Sequence, residues 1–281
     1  MKTISEKEYE GERPLYESHD LTITNCTIHA GESAIKEGSN IIVRNCVFEG
    51  KYPFWCVNGA KISDSLFKPG ARAAIWYTQN LEMTDCVVEA PKMFREIDNV
   101  KLTRVKLLNA LETLWECRNV EMKECEVRNA DYLLMHSSDI RIDNYRHQGN
   151  YSFQYCKNVE ISNAHLDTKD AFWNTENVVV RDSVITGEYL GWYSRNLRLI
   201  RCRIGGTQPL CYAENLVLED CIFDEDADLA FEYSTVEANI IGDVPSVKNP
   251  RSGHIHAGTI GQIIIDENIK QPADCVITTD K

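Results

Sequence analysis

The feature that most constrains this chain is an internal repeat of 19 to 21 residues. The stretch GWYSRNLRLIRCRI (residues 191–204) returns 19 residues later as LCYAENLVLEDCIF (residues 210–223), with asparagine, the flanking apolar residues and cysteine in the same places. Aligned on the cysteine, the unit recurs at Cys26, Cys46, Ser65, Cys86, Val105, Cys125, Tyr145, Ala164, Ser183, Cys202, Cys221 and Ile241. Six residues earlier, most units carry Asn or Asp. A fixed period of this length is typical of repeat folds, in which each unit packs on its neighbours.

The pattern within a unit predicts β-strands. Apolar residues alternate with others between the asparagine and the cysteine, as at Leu197 and Leu199, and this period of two is typical of a strand. A second alternating pair follows the cysteine, and a third short apolar stretch precedes the asparagine, so a helix has no room. We therefore predict an all-β, single-stranded parallel β-helix of about 12 rungs, with three short strands per rung.

The columns suggest structural roles. Asparagine tolerates the left-handed conformation and its amide can bond along the stack, so we expect it at a bend; the cysteine is expected to fill the core. We interpret residues 1–281 as one domain, with an N-terminal cap at 1–19, repeating rungs at 20–244 and a C-terminal cap at 245–281. The main alternative is a leucine-rich repeat, because LRLIRCRI fits its core motif. Most units are at or below the shortest length of that family, and the rest of each unit has no helical pattern.

Composition limits the classes of binding partner and the cellular location. The formal net charge of −13 argues against binding to nucleic acid or to an anionic membrane, since both need clustered Lys and Arg. The charged N-terminal stretch MKTISEKEYEGERP lacks the apolar region of an export signal, and no long apolar run follows. We expect a cytoplasmic protein whose eleven cysteines are mostly reduced.

The repeated unit and the ending SGHIHAGTIGQIIIDE resemble those of an uncharacterised bacterial family, a domain of unknown function in the pectate-lyase-like group. That resemblance implies a short right-handed parallel β-helix, and for the group polysaccharide is the usual substrate. No mechanism comes with it. The paired-Asp, Gly-His-Gly and Arg-x-Lys constellations of polygalacturonase relatives are missing from this sequence, as is the Arg and Asp calcium-site arrangement of pectate lyases.

All five tryptophans fall in one column of the repeat, four residues before the bend, which we call the Trp column. Its members are Lys36, Trp55, Trp76, Arg95, Trp115, Met135, Gln154, Trp173, Trp192, Cys211 and Phe231. Facing outward, the rings would form a binding platform or an oligomer interface. Facing inward, they would be core, with Lys36, Arg95 and Gln154 buried at considerable cost. The sequence leaves both orientations open.

The next column, here the Tyr column, is almost entirely polar or titratable, and we expect it to face solvent. It contains Glu37, Cys56, Tyr77, Glu96, Glu116, His136, Tyr155, Asn174, Tyr193, Tyr212 and Glu232. Strict alternation would turn the two columns to opposite faces, whereas a bend or bulge would bring them to one groove. Glu96, Glu116 and His136 occupy consecutive rungs. Carboxylates about 5 Å apart favour a division into acid and base, at the spacing of retaining glycosidases.

Metal and cofactor signals are weak. His254 and His256 share a strand face without a convincing third ligand, so we assign them to the cap region and predict no metal and no cofactor. Gly205 and Gly206 lack the context of a phosphate loop and are interpreted as a turn.

Two functions remain open on the sequence. The first is binding of an oligosaccharide or sugar conjugate, with glycan hydrolysis or lysis open. Here Trp55, Trp76, Trp115, Trp173 and Trp192 stack on sugars, Tyr77, Tyr155, Asn174 and Tyr193 bond hydroxyls, Arg95 holds a charged group, and Glu96, Glu116 and His136 are the acid/base candidates. An enzyme of this kind would resemble a glycoside hydrolase or a polysaccharide lyase. The second is a non-catalytic scaffold whose aromatic stripe is a homo-oligomer or partner interface.

Overall fold

The computed structural model describes residues 1–280 and shows an all-β parallel solenoid of about 15 turns, with no helix in that range. The all-β repeat fold predicted from the sequence is thereby confirmed, and the leucine-rich repeat is excluded. The chain divides into two compact units, Met1–Arg146 and the part that starts at His147.

The strands are short and regularly spaced. Those that begin in the first unit are β1 (Lys2–Ser5), β2 (Glu8–Glu12), β3 (His19–Thr24), β4 (Thr27–Glu32), β5 (Ser39–Arg44), β6 (Val47–Phe48), β7 (Asn58–Ser63), β8 (Leu66–Phe67), β9 (Ile75–Trp76), β10 (Gln79–Thr84), β11 (Val87–Val88), β12 (Phe94–Arg95), β13 (Asp98–Thr103), β14 (Lys106–Leu107), β15 (Arg118–Lys123), β16 (Glu126–Asp131) and β17 (Ser138–Asn150). Those of the second unit are β18 (Lys157–Lys169), β19 (Glu176–Arg181), β20 (Val184–Thr186), β21 (Arg195–Ile200), β22 (Arg203–Gly205), β23 (Leu216–Phe223), β24 (Thr235–Lys248), β25 (Ser252–Ile264) and β26 (Val276–Thr279).

Each strand pairs in parallel with its equivalent one turn away. In the first unit, Ile4 of β1 lies opposite Ile23 of β3, and the same register continues through β5, β7, β10, β13, β15 and β17. In the second unit, β18 pairs with β19, then β21, β23, β24, β25 and β26 follow. Parallel pairing at a period of about 20 residues puts equivalent side chains in columns one strand spacing apart, about 4.8 Å.

The structure differs from the expectation of about 12 rungs with three strands each. Strands also form within the stretches assigned to the caps, where β1 and β2 pair with β3 and β4, and β25 pairs with β26. Most turns contain two strands, because the third side places alternate residues in the left-handed region. Tyr132, Leu134 and His136, for example, all have φ near +60°, which interrupts the extended backbone of a strand.

The Asn column forms the bend that the sequence predicts. Asn80, Asn99 and Asn119 have φ of 56°, 64° and 52°. Their amides bond along the stack: Asn99 donates to Asn80 at 2.9 Å, and Asn119 donates to Asn99 at 3.2 Å. A second ladder of the same kind joins Asn158, Asn177, Asn196 and Asn215.

Replacing Asn99 with alanine is expected to lower the free energy of unfolding by about 2 kcal/mol. The change removes two exposed hydrogen bonds and places a Cβ-bearing residue without a polar group in the left-handed region, which costs about 1–2 kcal/mol. Asn99→Gly loses the same bonds without the backbone strain and should cost about 1 kcal/mol less. Urea denaturation followed by circular dichroism compares the two, and a larger loss for glycine would contradict the bend assignment.

The Cys column lies in the core, as expected. Cys26, Cys46, Cys86, Cys125 and Cys221 are buried and reduced. Their thiols donate to backbone carbonyls, as Cys86 does to Thr84 at 3.3 Å. Burial raises the pKa of the Cys86 thiol to about 11, so these groups are packing residues rather than nucleophiles.

Candidate functional site

The side chains of the Trp and Tyr columns project from the same outer surface of the solenoid. Every residue of the Tyr column from Glu37 to Tyr212 has a left-handed backbone, with φ of 51° at Glu96 and 57° at Tyr193. Its N–H donates to the carbonyl of the Trp column in the next turn, as from Glu96 to Trp115 at 2.9 Å. A left-handed residue interrupts the alternation of an extended strand. Both consecutive side chains therefore point outward, and the tryptophans are half-buried surface residues.

In the first unit the Trp column forms a continuous stack. The rings of Trp55 and Trp76 lie 5.3 Å apart with an angle of 30°. The Arg95 guanidinium carbon lies 4.3 Å from the Trp76 ring centre and 4.6 Å from that of Trp115. Arg95 is thus stacked between two indoles. Such cation–π contacts contribute about 0.5–2 kcal/mol each.

Backbone groups hold the indoles of this stack. Trp76 Nε1 donates to the Lys92 carbonyl at 2.8 Å, and Trp115 Nε1 donates to the Tyr132 carbonyl at 2.5 Å. Their polar atoms are thus occupied, and the faces of Trp76 are covered by Trp55 and Arg95. The exposed aromatic surface beside them belongs to Tyr77, which is 40% exposed and contacts both Trp55 and Trp76 edge-on.

Charged groups surround Arg95. Its Nη2 lies 3.8 Å from Glu112 Oε2, and Lys92 Nζ lies 2.9 Å from the same oxygen. The Arg95 side chain is only 23% exposed, and its Nε is buried without a hydrogen-bond partner. A buried N–H donor without an acceptor is costly, and a ligand oxygen would reach this one only after the surrounding side chains had moved apart.

Two carboxylates of this surface, those of Glu112 and Asp131, were not singled out from the sequence. Glu112 N–H donates to the Asp131 carbonyl at 2.8 Å, so the two residues lie on consecutive turns. Burial, and secondarily the Glu112 carboxylate, raises the pKa of the Asp131 carboxyl. Glu112 paired with Lys92, one turn from a carboxyl that holds its proton more tightly, is an acid/base arrangement. The sequence does contain one signal for Glu112: it lies one turn from Lys92, which has the opposite charge.

The acid/base candidates from the sequence lie on the same outer surface. Glu96 and Glu116 are exposed and follow each other in the Tyr column, and His136 occupies the next turn. Neither glutamate has a side-chain hydrogen bond or ion pair within residues 1–280. The register thus places these groups on consecutive turns, as predicted, next to Arg95 and Trp115.

The second unit carries a second aromatic cluster. Trp173 and Trp192 stack at 5.5 Å, and Trp192 Nε1 donates to the Gln208 carbonyl at 2.7 Å. Tyr193 lies 5.3 Å from Trp173 and stacks on Tyr212 at 4.9 Å. Tyr155 and Asn174 are exposed in the same column.

The assignment of Phe231 and Glu232 to the two columns is wrong by one residue. Tyr212 N–H donates to the Glu232 carbonyl at 2.7 Å, which places Glu232 in the Trp column. Tyr233, with φ of 55°, continues the Tyr column and lies 5.7 Å from Tyr212. The physical reason is one additional residue in the loop between β23 and this position, which the 19-residue spacing does not reveal.

No group of three or more His, Cys, Asp and Glu side chains within residues 1–280 is arranged to hold a metal ion. His254 Nε2 and His256 Nδ1 both lie within 3.0 Å of Thr278 Oγ1, so these two histidines contact a neighbouring strand. In the same range, no helix is long and apolar enough to cross a bilayer.

Comparison with known proteins identifies a family. A family described as "Protein of unknown function (DUF3737)" matches residues 2–278, which confirms the family of unknown function expected from the sequence. The pectate-lyase-like grouping stays a prediction. No curated protein matches the chain.

Solved structures with a similar fold include three solenoid proteins. The A-module of mannuronan C-5 epimerase AlgE4 from Azotobacter vinelandii is 11% identical, with 100% of this chain and 91% of that chain covered and a TM-score of 0.31. QnrB1, a plasmid-mediated fluoroquinolone resistance protein, is 12% identical, with 78% and 91% covered and a TM-score of 0.26. The catalytic domain of a GH87 alpha-1,3-glucanase in complex with nigerose is 8% identical, with 99% and 63% covered and a TM-score of 0.23. At such values these likenesses carry no argument about activity.

Proposed function

This chain belongs to the DUF3737 family of proteins of unknown function, and we propose from its own surface that it binds carbohydrate along the outward aromatic columns. The observation that carries the proposal is the outward orientation of the Trp column in each unit, beside exposed tyrosines of the next column. Rings that present both an apolar face and a hydroxyl suit the C–H faces and hydroxyls of sugars.

The tyrosines are the primary contact residues in this proposal. The indoles of Trp55 and Trp76 stack on each other, and the Arg95 guanidinium lies between the rings of Trp76 and Trp115. These indoles therefore support the surface from beneath. Tyr77 in the first unit and Tyr155 and Tyr193 in the second are exposed and hydroxyl-bearing. This reverses part of the sequence-based assignment, in which the tryptophans stack directly on sugars.

Arg95 and Lys92 supply the charged part of the first site. The buried Nε of Arg95 has no acceptor within the described chain, and Lys92 contributes a second cation next to it. A carboxylate-bearing sugar would pair with the exposed part of the Arg95 side chain, which is 23% of it, because a guanidinium binds carboxylates through charge-assisted bonds. We therefore expect acidic oligosaccharides to bind more tightly than neutral ones.

The same surface carries groups for glycan cleavage. Asp131, with its raised pKa, is our candidate proton donor, and Glu112 is the candidate base. Glu96, Glu116 and His136 remain proposed acid/base groups on the adjacent turns. Release of reducing ends from an oligosaccharide that binds, and its loss in Asp131→Asn, would test this part.

Titration of the full chain with a panel of neutral and uronate-containing oligosaccharides tests binding, with tryptophan fluorescence and calorimetry as readouts. Tyr77→Ala is expected to weaken binding about three- to tenfold, since an aromatic contact contributes about 0.5–1.5 kcal/mol. Tyr9→Ala is the control, because Tyr9 is a partly exposed tyrosine of β2 outside both columns.

Two outcomes would contradict the proposal. One is the absence of any response across the panel. The other is a concentration-dependent oligomer that Trp115→Ala converts to a monomer, which would favour the aromatic stripe as a protein interface.

A further inference from the structure

The second unit has a sheet edge that no strand within residues 1–280 covers. Strand β26 pairs only with His254–Ala257 of β25. Residues 259–264 of β25 pair with β24 on one side, and within residues 1–280 no strand lies on their other side. The N–H and C=O groups on that side therefore point out of the sheet, where another strand can pair with them.

The composition of this edge is unusual for an exposed strand. Its sequence, TIGQIII (residues 259–265), contains no charged residue and no proline, the devices that normally protect an edge. Ile263 is 51% exposed although it lies opposite Val247, which is fully buried. The column that contains the buried Val247 thus ends at Ile263, which no further turn within residues 1–280 covers. By contrast, β2 at the other end of the chain has the sequence EYEGE, with three glutamates.

We propose that residues 259–265 form a homodimer interface, in which two copies of this chain pair edge to edge and antiparallel about a twofold axis. An antiparallel strand paired with itself matches each donor with an acceptor, as an isologous interface requires. The pairing would bury the exposed rims of Ile263 and Ile265 from both copies.

The edge itself is uncharged, so the repulsion between two copies is weakest there. Two chains with a net charge of −13 repel each other, and this edge brings no charged side chain of its own to the contact. Two acids near the edge are paired within the chain: Asp266 lies 3.4 Å from Lys248, and Asp280 lies 3.3 Å from His256. Head-to-tail pairing would instead set the glutamates of β2 against the apolar edge, which is unfavourable.

Light scattering coupled to size-exclusion chromatography of the full chain, over a wide concentration range, tests the interface. The wild type is expected at twice the chain mass of 32.1 kDa. Ile263→Lys should raise the dimer dissociation constant at least about tenfold, because it places like charges in the contact. Ile265→Lys is a second variant with the same expected effect, and circular dichroism verifies that each variant folds.

Ile241→Lys is the matched control, because Ile241 is 54% exposed on β24, away from the open edge. It should remain dimeric. A wild type that is monomeric at all concentrations, a mass that grows beyond the dimer, or a dimer that survives both Ile263→Lys and Ile265→Lys would overturn the proposal. So would a dimer that Trp115→Ala dissociates.

Discussion

Acidification from about pH 7 to about pH 4 is expected to lower the free energy of unfolding by about 3 kcal/mol through His147 alone. This imidazole is 3% exposed in β17, and Ser152 Oγ lies 2.8 Å from its Nε2. Burial lowers the pKa of His147 from 6.5 to about 3. Above pH 6.5 the ring is neutral in both states, so it adds no pH dependence. Between pH 6.5 and 3 only the unfolded chain takes up the proton, and stability falls by about 1.4 kcal/mol per pH unit.

Urea denaturation at a series of pH values measures this slope. His147→Gln is neutral at every pH and keeps a polar group near Ser152, so its stability should vary less with pH than that of the wild type. The control is His165→Gln, which removes an exposed imidazole of β18 and should retain the wild-type slope. Parallel curves for the wild type and His147→Gln would refute the assignment.

Phe48→Ala is expected to lower the free energy of unfolding by about 3–5 kcal/mol. Phe48 is fully buried in β6, with its ring 4.8 Å from that of Phe67 and 5.2 Å from that of Phe54. Removing a buried aromatic ring loses its transfer free energy and leaves a cavity that the rigid ladder cannot close. Thermal unfolding followed by circular dichroism measures the loss.

Val47→Ala is the appropriate control for Phe48→Ala. Val47 precedes Phe48 in the same strand and is half-buried on the opposite side. Its truncation should cost less than about 1 kcal/mol, because solvent fills the space. Equal losses for the two variants would show that the interior at Phe48 is not tightly packed.

The period of the sequence was sufficient to predict the fold class. Successive turns of a solenoid place small or apolar residues at the same inward position, so a column such as Cys26, Cys46 and Ser65 recurs once per turn. The number of turns was underestimated because the terminal turns lack the asparagine and cysteine signals. Ile4 and Ile277 continue the core column there, but a single isoleucine in an irregular stretch does not mark a turn.

The orientation of the candidate site could not be predicted from alternation. Side chains alternate only along extended backbone, and the residue after each tryptophan is left-handed. Asparagine or glycine signals this conformation, but the column holds asparagine only at Asn174; Glu96, Tyr77 and Cys56 give no such indication. The N–H of each of these residues donates to a carbonyl one turn further on, as from Glu96 to Trp115.

The buried thiols give each unit a set of internal reporters. Nine of the eleven cysteines are buried, while Cys56 is exposed and Cys275 partly so. Alkylation of a buried thiol requires its own turn to open, and in repeat proteins neighbouring turns open with different free energies. Mass spectrometry after timed alkylation would therefore report unfolding turn by turn, without any engineered label. Cys56 is exposed on the aromatic surface and needs no opening to react, so its alkylation would give the reference for the start of each experiment.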